Sequence, residues 1–156
     1  VTEHPESTLQ QLNTEILGAY GWPPLGGMFD LIEERPAGIP TKIGVYAFLA
    51  GGDKPITYPL GESSIVYFGK AEQQRGVRGR VSQHRGRIKN GPHERWAGHT
   101  AHEWLMARGG FCAYSLAPDR DPAHPLSHSA SWVERELVRA FQRLHRTRPV
   151  GNGTAA

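Results

Sequence analysis

The sequence predicts an α/β domain built on a small antiparallel sheet, and three observations carry that reading. Ile43 to Ala50 (IGVYAFLA) and Ser64 to Gly69 (SIVYFG) are rich in β-branched and aromatic residues and are bounded by glycine, proline and aspartate, the composition of strands. Phe111 to Ala117 (FCAYSLA) is a third such run. Stretches with a helical period precede, separate and follow these strands, giving the order α, β, β, α, α, β, α and a central antiparallel three-stranded sheet flanked by helices. The 156 residues, 38% apolar and 21% charged, suffice for one real core and are short for two.

Along the chain, residues 8 to 20 read as a helix because Leu9, Leu12, Ile16, Leu17 and Tyr20 recur with a period near 3.6. Ser7 with Gln10 three residues on fits a capping box. Trp22-Pro-Pro-Leu-Gly-Gly and Arg35-Pro-Ala-Gly-Ile-Pro break the chain, with a short helical turn around Met28 to Glu33 between them. Residues 1 to 40 are therefore expected to be an N-terminal helical extension packed on a body of residues 41 to 156. The first two strands are apolar on both faces, which marks central strands buried between layers. The 51 to 63 connection is long for a hairpin and should project as a loop.

Val77 to about Ile88 lacks proline and reads as a helix with Val77, Val81 and Ile88 on one side, while Arg80, His84 and Arg87 line up on an adjacent positive ridge. Pro92 to Ala107 is a second helix, stopped by Gly109-Gly110, in which His93, His99 and His102 are expected to occupy a hydrated face. Asp119 to His128 is rich in turn formers. The last helix starts near Ser129 or Ser131 and runs to about Arg146, with Val133, Leu137, Ala140, Phe141 and Leu144 as its buried stripe. Ser131-x-x-Glu134 has the form of a capping box, and Pro149 with Gly151-Asn152-Gly153 stops the chain.

Charge is distributed unevenly. Residues 1 to 69 hold three Lys/Arg against eight Asp/Glu, whereas Lys70 to Arg95 holds eight against two and Trp132 to Arg148 five against two. Such asymmetry suits a polyanionic partner, and the 14 arginines against 4 lysines favour forked contacts to phosphate oxygens. A lone cysteine, Cys112, makes no internal disulfide and no cysteine zinc site, and reads as a small strand hydrophobe. No apolar run approaches the roughly 18 residues of a membrane span, and the acidic start Val1-Thr2-Glu3-His4 is unlike a secretory leader, so a cytoplasmic protein without a membrane partner is expected. No Gly-x-Gly-x-x-Gly or phosphate-loop pattern calls for a nucleotide.

Five segments occur in a telling order: Gly44-Val45-Tyr46, Val66-Tyr67-Phe68-Gly69-Lys70, Val77 to His84 with Arg80 inside it, Trp132-Val133-Glu134 to Val138, and Pro149-Val150-Gly151-Asn152. Together they resemble the motifs of the GIY-YIG nuclease superfamily over residues 41 to 152, with Phe68 at the central position of the second motif and longer steps from Gly69 to Arg80 and from Glu134 to Asn152 than in its excision-repair members.

The resemblance implies a phosphodiester hydrolase working with one divalent ion per site, Mg²⁺ or Mn²⁺. Hydrolysis needs a base for water, positive charge for the pentacoordinate anion and help for the departing 3′ oxygen. By resemblance, Glu134 is the metal's protein ligand, Tyr46 the base, Tyr67 a positioner of water or phosphate, and Arg80 the contact to the scissile phosphate. His84 shares proton transfer or bonds phosphate, and Asn152 orients the tyrosine or the helix end. A phenol normally titrates near 10, so Tyr46 and Tyr67 need nearby positive charge, which Lys70, Arg80 and the metal would supply. Glu136 rivals Glu134, and Arg78 rivals Arg80. Arg75, Arg78, Arg85, Arg87 and Lys89 are the expected contacts to nucleic acid.

The activity expected is endonucleolytic cleavage of DNA to 5′-phosphate and 3′-hydroxyl ends. A noncatalytic nucleic-acid-binding module, and a nuclease for RNA or branched DNA, are the alternatives. No zinc finger or helix-turn-helix is evident, which leaves specificity open to a homodimer or a targeting partner protein.

Overall fold

The central sheet has four antiparallel strands where the sequence predicts three. The structure is a computed structural model and describes residues 6–90, 100–119 and 129–152. Its elements are α1 (Ser7–Leu12), β1 (Gly26–Asp30), β2 (Gly44–Ala50), β3 (Ile56–Thr57), β4 (Glu62–Ser63), β5 (Ile65–Ala71), α2 (Gly76–Asn90), α3 (Thr100–Arg108), β6 (Gly110–Leu116) and α4 (Ala130–His145). The sheet order is β1-β6-β2-β5, with β3 and β4 forming a separate two-stranded hairpin inside the 51–63 connection.

The added strand is β1, in a segment the sequence assigns to a breaker and a helical turn. Gly26 pairs with Tyr114, Phe29 with Cys112 and Asp30 with Phe111, and the register slips between Gly26 and Phe29. Gly27 and Met28 sit at positive φ there (91° and 31°), so the strand is bulged. Two glycines and an irregular register remove both the propensity and the alternation by which a strand is recognised. The Asp30 side chain then accepts the amides of Ile32 and Glu33, making a tight turn where a helical turn is expected.

β2 is the central strand and is buried along its whole length. It pairs with β5 from Gly44↔Ala71 to Leu49↔Ile65 and with β6 from Gly44↔Leu116 to Ala50↔Gly110. β5, expected to be central, is an edge strand. Its outer edge is closed by Asn152, whose Oδ1 accepts the Phe68 N–H at 2.9 Å while its Nδ2 donates to the Phe68 carbonyl at 3.0 Å. One amide side chain thus replaces a strand's worth of pairing at that residue, which explains how an edge strand carries an apolar sequence on both faces.

The N-terminal helix continues beyond α1 as a π turn over Asn13–Leu17 and a 3₁₀ turn over Gly18–Tyr20, close to the expected span of 8 to 20. It buries Leu12 and Leu17 fully, and Tyr20 meets Trp132 of α4 edge to face at 4.4 Å. The Ser7 capping box does not form. Glu6 takes the cap position, and its carboxylate accepts the Ser63 hydroxyl and the Ser64 N–H instead. At the far end of α4, Thr8 Oγ1 lies 2.8 Å from His145 Nε2, and His145 Nδ1 donates to the Leu60 carbonyl, binding the extension to the body.

Two helix starts position the site. The first amides of α2 are satisfied by carbonyls of the segment before β2: Val77 N–H donates to Lys42 O at 2.9 Å and Arg78 N–H to Pro40 O at 3.2 Å. Gly76 has φ +58°, and a Cβ there would lie 2.4 Å from the Lys42 carbonyl, so only glycine allows this approach. α4 is capped by Ser129, whose Oγ accepts the Trp132 N–H at 3.1 Å. The expected Ser131 box is absent because Ser131 is drawn to the end of β5: its N–H donates to Glu72 Oε1 at 2.6 Å, and its Oγ accepts from Lys70. No helix among the described residues is long and apolar enough to cross a membrane.

Candidate active site

Tyr46 and Gly69 are direct partners across β2 and β5. A Cβ at position 69 would come within 2.4 Å of the Tyr46 ring, so the glycine is what lets the phenol lie flat over the neighbouring strand. The Tyr46 hydroxyl lies 3.1 Å from His84 Nε2, accepts a hydrogen bond from the Arg80 guanidinium and shares one with Tyr67, whose ring centroid is 6.2 Å away. Arg80 also bonds Gln83 at 3.0 Å. Tyr46, Tyr67, Arg80 and His84 therefore form one cluster between β2, β5 and α2.

Electrostatics divides the two tyrosines. Burial pushes the Tyr46 phenol far above its ordinary range, Tyr67 adds to the rise and Arg80 opposes it, so Tyr46 is protonated at neutral pH. Tyr67 is only half-buried; desolvation raises it first, Glu134 adds to that, and Arg80 pulls it down. Glu134 belongs to a second group of residues on the other side of β5.

That group lines a cleft of about 380 Å³ formed by Lys70, Ser131, Glu134, Arg135, Val138, Arg139, Gln142, Arg148 and Asn152. Its walls are the end of β5, one face of α4 and the chain after α4. Burial raises the Glu134 carboxyl above the usual carboxylate range, partly offset by Lys70 and Arg135. Glu136 is held by Arg139 at 3.2 Å and does not line the cleft. Among the described residues no group of three or more His, Cys, Asp and Glu could hold a metal. Glu134 is the one carboxylate of the cleft, beside Lys70, Arg135, Arg139 and Arg148, and could give a hydrated hard cation such as Mg²⁺ a single protein ligand, the rest of its shell being water or phosphate oxygen.

Other expected residues fall elsewhere. Arg78 is committed to the fold, its Nε donating to the Ile39 carbonyl. Arg75 and Lys89 are exposed, Arg85 and Arg87 half-buried, and none of the four lines the cleft. The ridge of Arg80, His84 and Arg87 does not exist as expected, because His84 is fully buried and faces the sheet, with its ring 5.0 Å from Phe48. Cys112 is buried in β6, as a small strand hydrophobe should be.

His102, expected on a hydrated face, is 5% exposed, and its Nε2 lies 2.8 Å from His84 Nδ1. α3 buries Ala101, His102 and Leu105, and His102 meets α2 at His84. The spacing of Ala101 and Leu105, four apart with His102 beside them, was the available signal. His93 and His99 lie outside the described residues.

Compared with family models, curated proteins and solved structures, the chain finds no match. Its resemblance to the GIY-YIG nucleases rests on its own sequence motifs.

Proposed function

We propose that the chain is a metal-dependent endonuclease that hydrolyses DNA to 5′-phosphate and 3′-hydroxyl ends. The observation carrying this reading is the cluster of Tyr46, Tyr67, Arg80 and His84 on one side of β5, centred on the 3.1 Å contact of the Tyr46 hydroxyl with His84 Nε2, with the Glu134 cleft on the other side of the same strand. In this reading the cleft takes the nucleic-acid backbone through Arg135, Arg139 and Arg148 beside Glu134, and Arg80, which does not line the cleft, reaches the scissile phosphate from the cluster side of β5. Mg²⁺ or Mn²⁺ held by Glu134 would supply Lewis acidity and a lowered pKa for bound water.

The chain's own residues then do the following. Tyr67, half-buried, holds the attacking water. Tyr46 takes a proton from that water while its own passes to His84 Nε2, so the buried phenol never needs to persist as an anion. Arg80 stabilises the charge that develops on phosphorus as the 3′ oxygen departs. Lys70, engaged by Ser131, contributes positive charge at the cleft wall, and Asn152 holds β5 at Phe68, next to Tyr67.

The test is incubation of supercoiled plasmid with the protein and Mg²⁺ or Mn²⁺, followed by ligation of the products. Metal-dependent cuts that a ligase reseals without end treatment support the proposal. Salt-sensitive binding with no cutting of plasmid, branched DNA or RNA favours the noncatalytic module.

A further inference from the structure

We propose that His102 is a positioning residue that sets the protonation pattern of His84 and thereby decides whether Tyr46 can release its proton. The inference deepens the nuclease reading and rests on it. Both ring nitrogens of His84 are engaged, Nε2 with the Tyr46 hydroxyl at 3.1 Å and Nδ1 with His102 Nε2 at 2.8 Å, inside a site where His84 is 0% and His102 5% exposed.

A neutral imidazole has one donor nitrogen and one acceptor. The direction of one His84 bond therefore fixes the direction of the other. When His84 Nδ1–H donates to His102 Nε2, His84 Nε2 is a bare lone pair aimed at the Tyr46 O–H. When His102 Nε2–H donates instead, His84 must carry its proton on Nε2, where it points at the Tyr46 oxygen and blocks transfer. Adding one proton to the pair has the same effect wherever it lands. A cationic His84 has Nε2 occupied, and a cationic His102 must donate to His84 Nδ1, which again places the proton on Nε2. Only the neutral pair with the first polarity accepts from Tyr46. After transfer His84 is an imidazolium whose Nδ1–H remains bonded to His102, so the same contact stabilises the product of the step.

The fold keeps His102 from moving out of this role. α3 is seated by two close approaches to glycines: a Cβ at Gly151 would lie 2.6 Å from Ala101 Cβ, and one at Gly110 would lie 2.3 Å from Leu105 Cδ2. The titratable and charged groups that face the pair among the described residues are Tyr46 from β2, Tyr67 from β5, Arg80 one turn earlier on α2, and the Cys112 thiol of β6, which acts on Tyr46. Burial raises Cys112, leaving it a neutral thiol, and Arg80 is the cation beside Tyr46.

The test combines ring ¹⁵N NMR with single-turnover cleavage of duplex DNA by wild type, His102→Gln and His102→Phe. The expected results are a His84 proton on Nδ1 in the neutral wild type, loss of that preference in His102→Phe, and a fall in its cleavage rate of about 10²-fold with DNA affinity unchanged. His102→Gln, whose amide oxygen can accept from His84 Nδ1, should recover to within about tenfold of wild type and shift the acid limb of the pH profile, a response that a packing role would not give. A wild-type His84 protonated on Nε2 at neutral pH, or a His102→Phe variant with wild-type rate, overturns the proposal. If His102→Phe does not fold, the wild-type ring spectra and the Gln variant's pH profile decide it. Absence of cleavage by wild type on any nucleic acid overturns the nuclease reading itself and with it the catalytic use of the pair, whereas the ring spectra report on the pair alone.

Discussion

The Tyr46 hydroxyl and His84 Nε2 stand 3.1 Å apart, and both side chains are fully buried. A phenol so placed has its pKa raised by desolvation, so in the proposed hydrolysis it would act as a base only by handing its own proton on, and the histidine is the group in position to take it. Tyr46→Phe tests this directly. It removes the hydroxyl shared by His84, Arg80 and Tyr67, and should lower cleavage by about 10²- to 10⁴-fold with little change in DNA binding. It should also cost about 1–2 kcal/mol of stability, because a buried histidine nitrogen loses a partner. Cleavage assays and urea denaturation read the two effects separately.

Glu134→Gln should stabilise the protein while inactivating it. The folded-state pKa of Glu134 is raised above its unfolded value, so folding favours the protonated form, and stability falls as pH rises through the folded pKa. The penalty is absent below the ordinary glutamate range, near 4.3, and fully present above the raised value. Thermal melts should therefore give Glu134→Gln a higher Tm than wild type at pH 8, with the gap closing in acid. Mg²⁺ should raise the wild-type Tm and leave the variant's unchanged.

Asn152→Ala should destabilise by about 1–3 kcal/mol, since it strips both the N–H and the carbonyl of Phe68 of their partners on the open edge of β5. Cleavage should fall as well, because Tyr67 precedes Phe68 on that edge. A denaturant midpoint unchanged from wild type would show that Asn152 does not hold the strand.

Arginines of the α4 side should contribute to DNA binding, and Arg78 should not. Arg135→Ala and Arg148→Ala are each expected to weaken binding to any duplex and reduce the slope of log affinity against log salt by about 1, as for loss of one phosphate contact. Arg78→Ala should leave that slope unchanged and lower stability, since its Nε serves the Ile39 carbonyl. Fluorescence anisotropy across a salt series separates the two groups.

What the sequence made legible follows the strength of local patterning. β2 and β5 are readable from unbroken runs of β-branched and aromatic residues, α4 from an apolar stripe at helical spacing and α2 from the Val77, Val81 and Ile88 side, and the site tyrosines, Arg80 and Glu134 fall inside those segments. β1 is unreadable because Gly26-Gly27-Met28 has no strand propensity and its pairing is bulged. The edge position of β5 depends on an amide 84 residues away, and no local pattern encodes such a contact. The burial of His84 and His102 likewise depends on α3 crossing α2, a tertiary event that turns an apparent surface ridge into an interior pair.

The most direct measurement is single-turnover cleavage of duplex DNA with Mg²⁺ by wild type, Tyr46→Phe, Arg80→Ala and Glu134→Gln, with affinity measured on the same substrate. Wild type is expected to cleave, and each variant to bind the duplex still but to cleave at least about 10²-fold more slowly. A wild type that binds but never cuts, or any of the three variants cutting at the wild-type rate, would rule out the proposed nuclease mechanism.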